Sequence, residues 1–336
     1  MPINIQDVAL KAGVCITTVS RVLNQNGRVR ESNRQKVLRA IEELGYNPNA
    51  AARTLAKGKT EVLGVILPTL NDPFWADLVT AIEQAAFDEG YLVVLALTLD
   101  NSDEVIEKHW VKIFSEGRVD GILLVAPEYE TDYITELRNR NFPLVLLDNN
   151  VNNLKVPSVV VDNLKGGTMA TEHLLGLGHT RIGHIAGDLK YQSARERLQG
   201  FREAMSRAGV AVRQDWVREG DFHFEKAFQI AGAWLEQPDR PTAIFAADDD
   251  MAAAVMEAAR ELQLKLPDDL SIVGYDDSPF GSRVRPRLTT VRQPARAMAR
   301  EAVQLLLRYM AAKPPRAKTV VIAPELIVRE SARRLP

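Results

Sequence analysis

Four apolar runs of this 336-residue chain stop at carboxylates or amides. Asn71-Asp72-Pro73-Phe74 follows Val62 to Leu67, and Asp148 follows Leu144 to Leu147. Asp248-Asp249-Asp250 comes after Ile244-Phe245-Ala246, and Tyr275-Asp276-Asp277 after Ile272-Val273-Gly274. Arg197, within Ser193 to Phe201, adds one guanidinium, and Phe222, after Gly220-Asp221, adds a ring. Carboxylates and amides grip hydroxyls, and a ring covers the apolar face of a sugar, so the set suits a neutral polyhydroxylated ligand. Taken singly, each Asp at a strand end is equally a helix cap.

A second set lies near the N-terminus. Ile16, Thr17 and Arg21 occupy the exposed side of a short helical pattern; Arg21 can read a guanine edge by paired hydrogen bonds, and Ile16 can touch a thymine methyl. The elements that must position them are legible in the spacing. Ile5, Val8 and Ala9 mark one helix and Val19, Val22 and Leu23 the next, with Gly13 at a turn that needs positive φ. This is the pattern of a helix-turn-helix, whose second helix enters a major groove. An ordinary three-helix bundle with solvent-facing polar residues reads similarly. A third helix is expected from Val37, Leu38, Ile41 and Leu44, started by a Ser32/Gln35 capping box and ended by Gly45.

Charge separates these readings. Residues 1–60 hold ten basic and four acidic side chains, a net of +6 in a chain whose total is −2, so the remainder carries −8. A basic head on an acidic body is expected when one domain meets phosphates and the other does not. Asn49 to Lys59 follows Pro48: Asn49 can cap a helix, the alanines favour one and Gly58 stops it. At about two turns it is marginal alone. Leu55 there is either a wedge for a minor groove or the packing residue of a flexible linker.

The remaining chain alternates apolar runs with amphipathic stretches, the mark of parallel sheets covered on both faces. A second cycle begins after Val159 to Asp162, so two similar α/β halves are expected. Such sheets bind ligands at the C-terminal ends of their strands. No Gly-Xaa-Gly-Xaa-Xaa-Gly follows a strand and no Gly-Lys-Ser/Thr loop occurs, which argues against a nucleotide-dependent enzyme. His109, His173, His179, His184 and His223 show no metal spacing, so no metal or cofactor is expected; His179 and His184 read as structural. The single Cys15 excludes an internal disulfide and reads as inert. Without a signal peptide or a twenty-residue apolar segment, a soluble cytoplasmic protein that does not enter membranes is expected.

Asp7-Val8-Ala9, Ala12-Gly13-Val14, Thr18 to Asn24, Lys36-Val37, Ala40-Ile41, Leu44-Gly45-Tyr46, Pro48-Asn49 and Ala52-Arg53 together resemble the headpiece of the lactose/galactose repressor (LacI/GalR) family. The later blocks resemble its effector domain, which is similar to type I periplasmic sugar-binding proteins. The resemblance implies an all-α helix-turn-helix headpiece (1–48), a hinge helix and linker (49–60) and a bilobed α/β effector and dimerisation domain (61–336) with two Rossmann-like parallel-sheet lobes. Lobe one is 61–161 plus 291–323 and lobe two 162–290 plus 324–336, with crossings near Val161, Thr290 and Pro324.

By the same resemblance Ile16, Thr17 and Arg21 read bases, Asn4, Ser20 and Asn24 lie near the DNA backbone, and Ala52 and Leu55 sit in the minor-groove hinge. Asn71, Phe74, Asp148, Arg197, Phe222, Asp248 and Asp276 surround the effector cleft, with Arg195 at the surface or behind it. Three departures stand out: Cys15 replaces a capping Ser, Arg30 and Asn33 replace Ser and Thr at the third helix, and Asp248 replaces Asn. An acceptor-only Asp248 disfavours an anionic effector. The implied function is a homodimeric repressor on a near-palindromic operator in double-stranded DNA, controlled by a sugar or sugar derivative. A nucleobase or nucleoside effector, and a sugar-binding protein without DNA, are the alternatives. Glu330 to Pro336 is too short for a heptad zipper, which favours a dimer over a tethered tetramer.

Overall fold

The computed structural model describes residues 3–24, 27–47, 54, 58–98, 104–126, 132–149, 156–311 and 316–335. The chain divides into two compact units between Glu61 and Val62. Of the expected hinge, Ala52 and Leu55 lie outside the described residues.

The first unit has helices α1 (Ile5–Ala12), α2 (Ile16–Leu23) and α3 (Glu31–Leu44). Asn4 starts α1 with a capping box: its Oδ1 accepts from the amides of Gln6 and Asp7, and Asp7 Oδ2 accepts from the Asn4 amide at 2.9 Å. Gly13 ends the helix at φ 63, a conformation that costs a Cβ-bearing residue. Val8, Ala9, Ala12, Val19, Val22, Val37 and Ala40 close a small core. Two expectations for α3 need correction. Leu38 is 46% exposed, and the inner stripe runs Val37, Ala40, Ile41, Leu44. Ser32 lies inside the first turn, because the helix already begins at Glu31; Gln35 donates to Glu31 Oε1 at 2.9 Å instead of closing a capping box. Arg30 holds the N-cap position without a side-chain bond, since a guanidinium has no acceptor to offer.

The second unit holds two six-stranded sheets. The first has β1 (Val62–Leu67), β2 (Leu92–Leu97), β3 (Gly121–Val125), β4 (Leu144–Leu147), β5 (Ser158–Val161) and β11 (Thr319–Ile322), in the order β11-β5-β4-β3-β1-β2 and parallel throughout. Helices α4 (Pro73–Asp88) and α12 (Ala295–Tyr309) cover one face, with Leu78, Ile82, Met298, Val303 and Leu306 buried on Val65, Leu123 and Val145. Helices α5 (Glu104–Ser115) and α6 (Asp132–Asn139) cover the other. Double coverage is why these strands read as unbroken apolar runs.

The second sheet has β6 (Ile182–Ala186), β7 (Val217–Glu219), β8 (Ala243–Ala246), β9 (Ser271–Asp276), β10 (Thr289–Arg292) and β12 (Glu325–Ile327), in the order β12-β10-β9-β8-β6-β7. Helices α7 (Asn163–Gly176) and α8 (Gln192–Arg207) pack on one face, α9 (Phe224–Leu235) and α10 (Asp249–Glu261) on the other; α11 (Pro279–Arg283) is a short surface turn. Its strands are parallel except the edge strand β12, which runs antiparallel to β10. Both sheets place their first strand between the second and third, so the connections reverse there and the C-terminal strand ends open a crevice.

The chain passes between lobes after β5, before α12 and between β11 and β12. The second crossing falls later than expected. Thr290 pairs with both Gly274 and Ile327, so β10 belongs wholly to the second sheet and the chain leaves it after Arg292, at Gln293-Pro294. His179 and His184 are buried in this lobe: His179 bonds Thr242 Oγ1 and the Arg333 carbonyl, and His184 stacks between Phe201 and Phe245. Among the described residues no helix is long and apolar enough to cross a membrane.

Helices α7 and α8 approach unusually closely. A Cβ on Gly167 would fall on the backbone carbonyl of Arg197, and one on Gly200 on that of Leu164. Gly167→Ala therefore reverses the usual gain of alanine in a helix, and overpacking should cost about 1–3 kcal/mol. Thermal denaturation should show a midpoint several degrees lower; an unchanged or raised midpoint means the helices can part.

Candidate functional site

The seven residues expected around a cleft, Asn71, Phe74, Asp148, Arg197, Phe222, Asp248 and Asp276, all line one cavity of about 420 Å³ between the lobes. The first lobe supplies the β1–α4 corner. Asp72, followed by Pro73 at the first helical position, caps α4 by accepting from the Phe74 amide at 2.8 Å. This fixes Phe74, 5% exposed, against Trp75 with ring centroids 5.0 Å apart, while Asn71 is exposed at the rim. Asp148 ends β4 in a left-handed conformation, φ 62, and is buried.

The second lobe supplies the guanidinium. Arg197, 3% exposed on α8, donates from Nε to Asn163 Oδ1 at 2.9 Å and from Nη1 to the Ala247 carbonyl at 2.6 Å. Nη1 lies 3.9 Å from Asp276 Oδ1, and the guanidinium stacks 3.7 Å from the Tyr275 ring centre. Tyr275 in turn donates to Asn163 Oδ1 at 3.1 Å. Asp276 Oδ1 accepts from Gln293 Nε2 at 2.6 Å, at the second crossing. Asp248 caps α10 by accepting from the Met251 amide at 2.6 Å. Phe222 presses on Gly187, where a Cβ would meet its ring. Arg195 is not in the lining; it donates to the carbonyls of Leu189 and Lys190 and steadies the loop before α8.

Burial dominates the electrostatics. It pushes Asp148 up to about 7 and Asp248 up to about 8, against the opposing pull of Arg197; for Asp248 the Met251 amide also opposes it. Asp276 lies well above the ordinary range for the same reason. Burial opposes the Arg197 charge too, yet Tyr275, Asp276, Asp148 and Asp248 outweigh it and raise its pKa. Asp248 is therefore not the acceptor-only group expected: at neutral pH it carries a proton much of the time and can also donate. Of nine non-glycine residues with left-handed backbone among those described, five line the cavity: Ala126, Asp148, Asp221, Phe222 and Asp276. Such strain concentrates where side chains are held for a ligand.

Sequence reasoning missed Trp75, Tyr191 and Gln293, which also line the cavity. The Asp-Pro pair at 72–73 marked a helix start in whose first turn Trp75 lies, the one signal that was available. Asp249 looks like a further cavity carboxylate but is spent on structure, accepting from Thr290 Oγ1 at 2.6 Å and the Ser278 amide at 2.7 Å.

In the first unit, Ile16 (43% exposed), Thr17 and Arg21 face outward on α2. Ser20 and Asn24 are half-buried and bonded to each other at 3.3 Å. Asn4 spends its side-chain oxygen on α1, leaving its amide donors for other use. Cys15 occupies the N-cap of α2 without a side-chain cap bond, as expected of sulfur. Its thiol meets the hydroxyls of Thr17 and Thr18 at 3.0 and 3.1 Å, which lower its pKa to about 7.

Comparison with known proteins agrees with both units. Residues 4–49 match the model for bacterial regulatory proteins of the lacI family, and residues 171–332 match a periplasmic binding protein-like domain. The chain is 34% identical over 332 residues to the HTH-type transcriptional repressor PurR of Photobacterium profundum, covering 98% of this chain and 99% of the relative. It is 35% identical over 334 residues to the HTH-type transcriptional regulator DegA of Bacillus subtilis, covering 98% of each. The crystal structure of the lac repressor dimer bound to operator and the anti-inducer ONPF superposes with a TM-score of 0.91 at 32% identity, over 99% of this chain and 100% of that one. An outward recognition helix on a basic headpiece, joined in one chain to a two-lobed binding fold and matched end to end by regulators, makes this chain a member of the LacI family, a DNA-binding transcriptional repressor and not an enzyme.

Proposed function

We propose that this repressor binds a near-palindromic operator as a homodimer, in the cytoplasm where transcription regulators meet DNA, and that a sugar or sugar derivative in the interlobe cavity controls its affinity. The observation that carries the effector class is the state of the cavity's cations. Arg197 is spent on Asn163, Ala247 and Asp276, and Lys190 lies 3.2 Å from Asp188, while carboxyls dominate the lining. An anionic effector such as a sugar phosphate would compete with these protein acceptors for both cations. Hydroxyls can donate to these carboxyls, and Trp75, Tyr191 and Phe222 offer ring faces for the apolar side of a pyranose. The likeness to PurR repressors favours a nucleobase as the second reading. A solved complex of the regulator CelR with cellobiose, 32% identical and with a TM-score of 0.75, favours the sugar.

The homodimer is supported by exposed apolar side chains at one edge of the first sheet: Leu92 and Val94 on one face of the outer strand β2, Leu95 on its other face, and Phe87 of α4. Ile16, Thr17 and Arg21 are assigned to base edges, and Asn4, Ser20 and Asn24 to the DNA backbone. Ala52 and Leu55 are assigned to the central minor groove. Two paired hinges folding on DNA, and a cavity that changes the lobe angle, couple the sites through differential affinity of the effector for two states.

A ligand panel and two substitutions test this reading. In a thermal-shift panel of sugars, sugar phosphates and nucleobases, a neutral sugar should raise the midpoint by several degrees and change operator binding. Arg197→Ala should keep operator binding while losing that response; a surviving response, or selective binding of a sugar phosphate or nucleobase, overturns the assignment. Leu55→Ala should weaken operator binding far more than binding to random duplex, and equal losses reduce the hinge to a linker.

The cavity carboxyls also predict a pH dependence. Asp148 and Asp248 titrate higher in the folded chain, at about 7 and about 8, than the ordinary aspartate value of 3.8. Between the two values the folded state holds more protons than the unfolded one, so stability falls as pH rises. Each group contributes up to about 1.4 kcal/mol per pH unit inside its window. The melting midpoint of the effector-free protein should drop from about pH 5.5 to about pH 8, and Asp148→Asn with Asp248→Asn should flatten the slope. An unchanged slope in the double variant would falsify the assignment.

A further inference from the structure

We propose that the molecule bound in the cavity carries a protonated amino group, seated between Asp72 and Asp148 of the first lobe and Asp248 and Asp276 of the second. This rests on the reading of the cavity as an effector site and narrows its ligand to an amino sugar or a similar hydroxylated amine.

The charges of the cavity oppose one another across the cleft. Asp72 lies close enough to Asp148, Asp248 and Asp276 to raise the pKa of each, and Arg197 is the cation that pulls against them. That guanidinium is already bonded to protein acceptors and cannot serve four carboxyls. Two buried acceptors without a partner also point to a donor, and the second lies outside the four carboxyls. Asp148 Oδ1 and Gln293 Oε1, on side chains 8% and 4% exposed, are buried in the cavity wall and meet no hydrogen-bond donor among the described residues. One comes from each side of the cleft: Asp148 ends β4, and Gln293 begins the second crossing.

A neutral hydroxyl satisfies such an acceptor but supplies no charge to balance a carboxylate that ionises there. An ammonium group offers three donors and a positive charge, so it satisfies the acceptors and offsets the carboxylates together. Among the described residues no group of three or more His, Cys, Asp or Glu side chains converges as a metal set. The flanking rings Trp75 and Tyr191 add faces that attract a cation as well as a sugar.

The test uses matched pairs on the full-length protein at about pH 7, where Asp148, held at about 7, is half ionised and a sugar amine is still largely protonated. D-glucosamine, D-galactosamine and D-mannosamine are compared with the parent hexoses and the N-acetylated sugars by thermal shift and calorimetry. At least one amine should bind about 10-fold or more tightly than its hydroxyl and acetamido counterparts, the difference between a charge-assisted and a neutral hydrogen bond. The preference should disappear in Asp148→Asn and in Asp248→Asn, the latter retaining a capping side chain. Parents that bind as well as their amines, or amines that fail to bind at all, overturn the proposal. If a neutral sugar or nucleobase then binds and moves operator affinity, the effector-site reading stands without the amine. If no small molecule moves operator affinity, that broader reading fails too.

Discussion

Everything in the effector domain is arranged around one buried guanidinium. A cation as deeply enclosed as Arg197 costs several kcal/mol in lost hydration unless the protein replaces water on every side. The replacement is specific: Asn163, the Ala247 carbonyl, Asp276 and the face of Tyr275 each take one aspect of the group. Its position is set by the close approach of α7 and α8, for which Gly167 and Gly200 leave room. The glycines in those two helices thus answer to the placing of a charge, and a helix-propensity argument alone would count them as defects. Without Arg197 the carboxyls of Asp276, Asp148 and Asp248 would lose the charge that pulls against their burial.

The lobes are coupled through the same charge. Arg197 belongs to the second lobe, yet it pulls on Asp72 and Asp148 of the first, so the electrostatic energy of the cleft depends on the lobe angle. The second-lobe side of the crossings is stiff. Asp277 pairs with both Arg292 and Arg329, and Arg292 also pairs with Glu325, binding the end of β10 to the start and end of β12. The links that remain outside this set of ion pairs are Gln293-Pro294 and Ala323-Pro324. Gln293 is also the donor to Asp276, so a ligand that engages its carbonyl oxygen acts on a crossing directly. A tenfold change in operator affinity needs about 1.4 kcal/mol of coupling, the scale of one such hydrogen bond.

The strand ends were legible because double-covered parallel strands are continuous apolar runs and the first polar residue after each marks the crevice. All seven cavity residues came from that rule together with the family pattern. What escaped had no periodic signature. Gln293 lines the cavity because the chain changes lobes there, and the β-branched run Thr289 to Val291 looks the same whether it lies before or across a crossing. Tyr191 precedes a helix and caps nothing with its side chain. Asp249 is chemically identical to Asp248 and one residue away, and only the placement of Thr290 and Ser278 shows that it is structural. In the headpiece, Leu38 was read into the helical spacing with Val37, Ile41 and Leu44, but the inner face of α3 is taken by the smaller Ala40 together with Val37.

Strain and like charge are gathered in the cavity while the surrounding sheets are regular. Five left-handed residues, at a cost on the order of 1 kcal/mol each, line the same space as the buried carboxyls. A protein selected only for stability would have removed both. Their retention is consistent with a binding energy that is partly stored in the free state: a ligand that offsets the charge and fills the wall releases it in one lobe arrangement and not in another. Affinity alone could not switch a repressor, because a ligand held equally in both arrangements shifts nothing. The proposed control of operator binding therefore requires contacts across the cleft that differ between lobe arrangements, and the buried carboxyls and Arg197 are the groups there whose energy depends on the lobe angle.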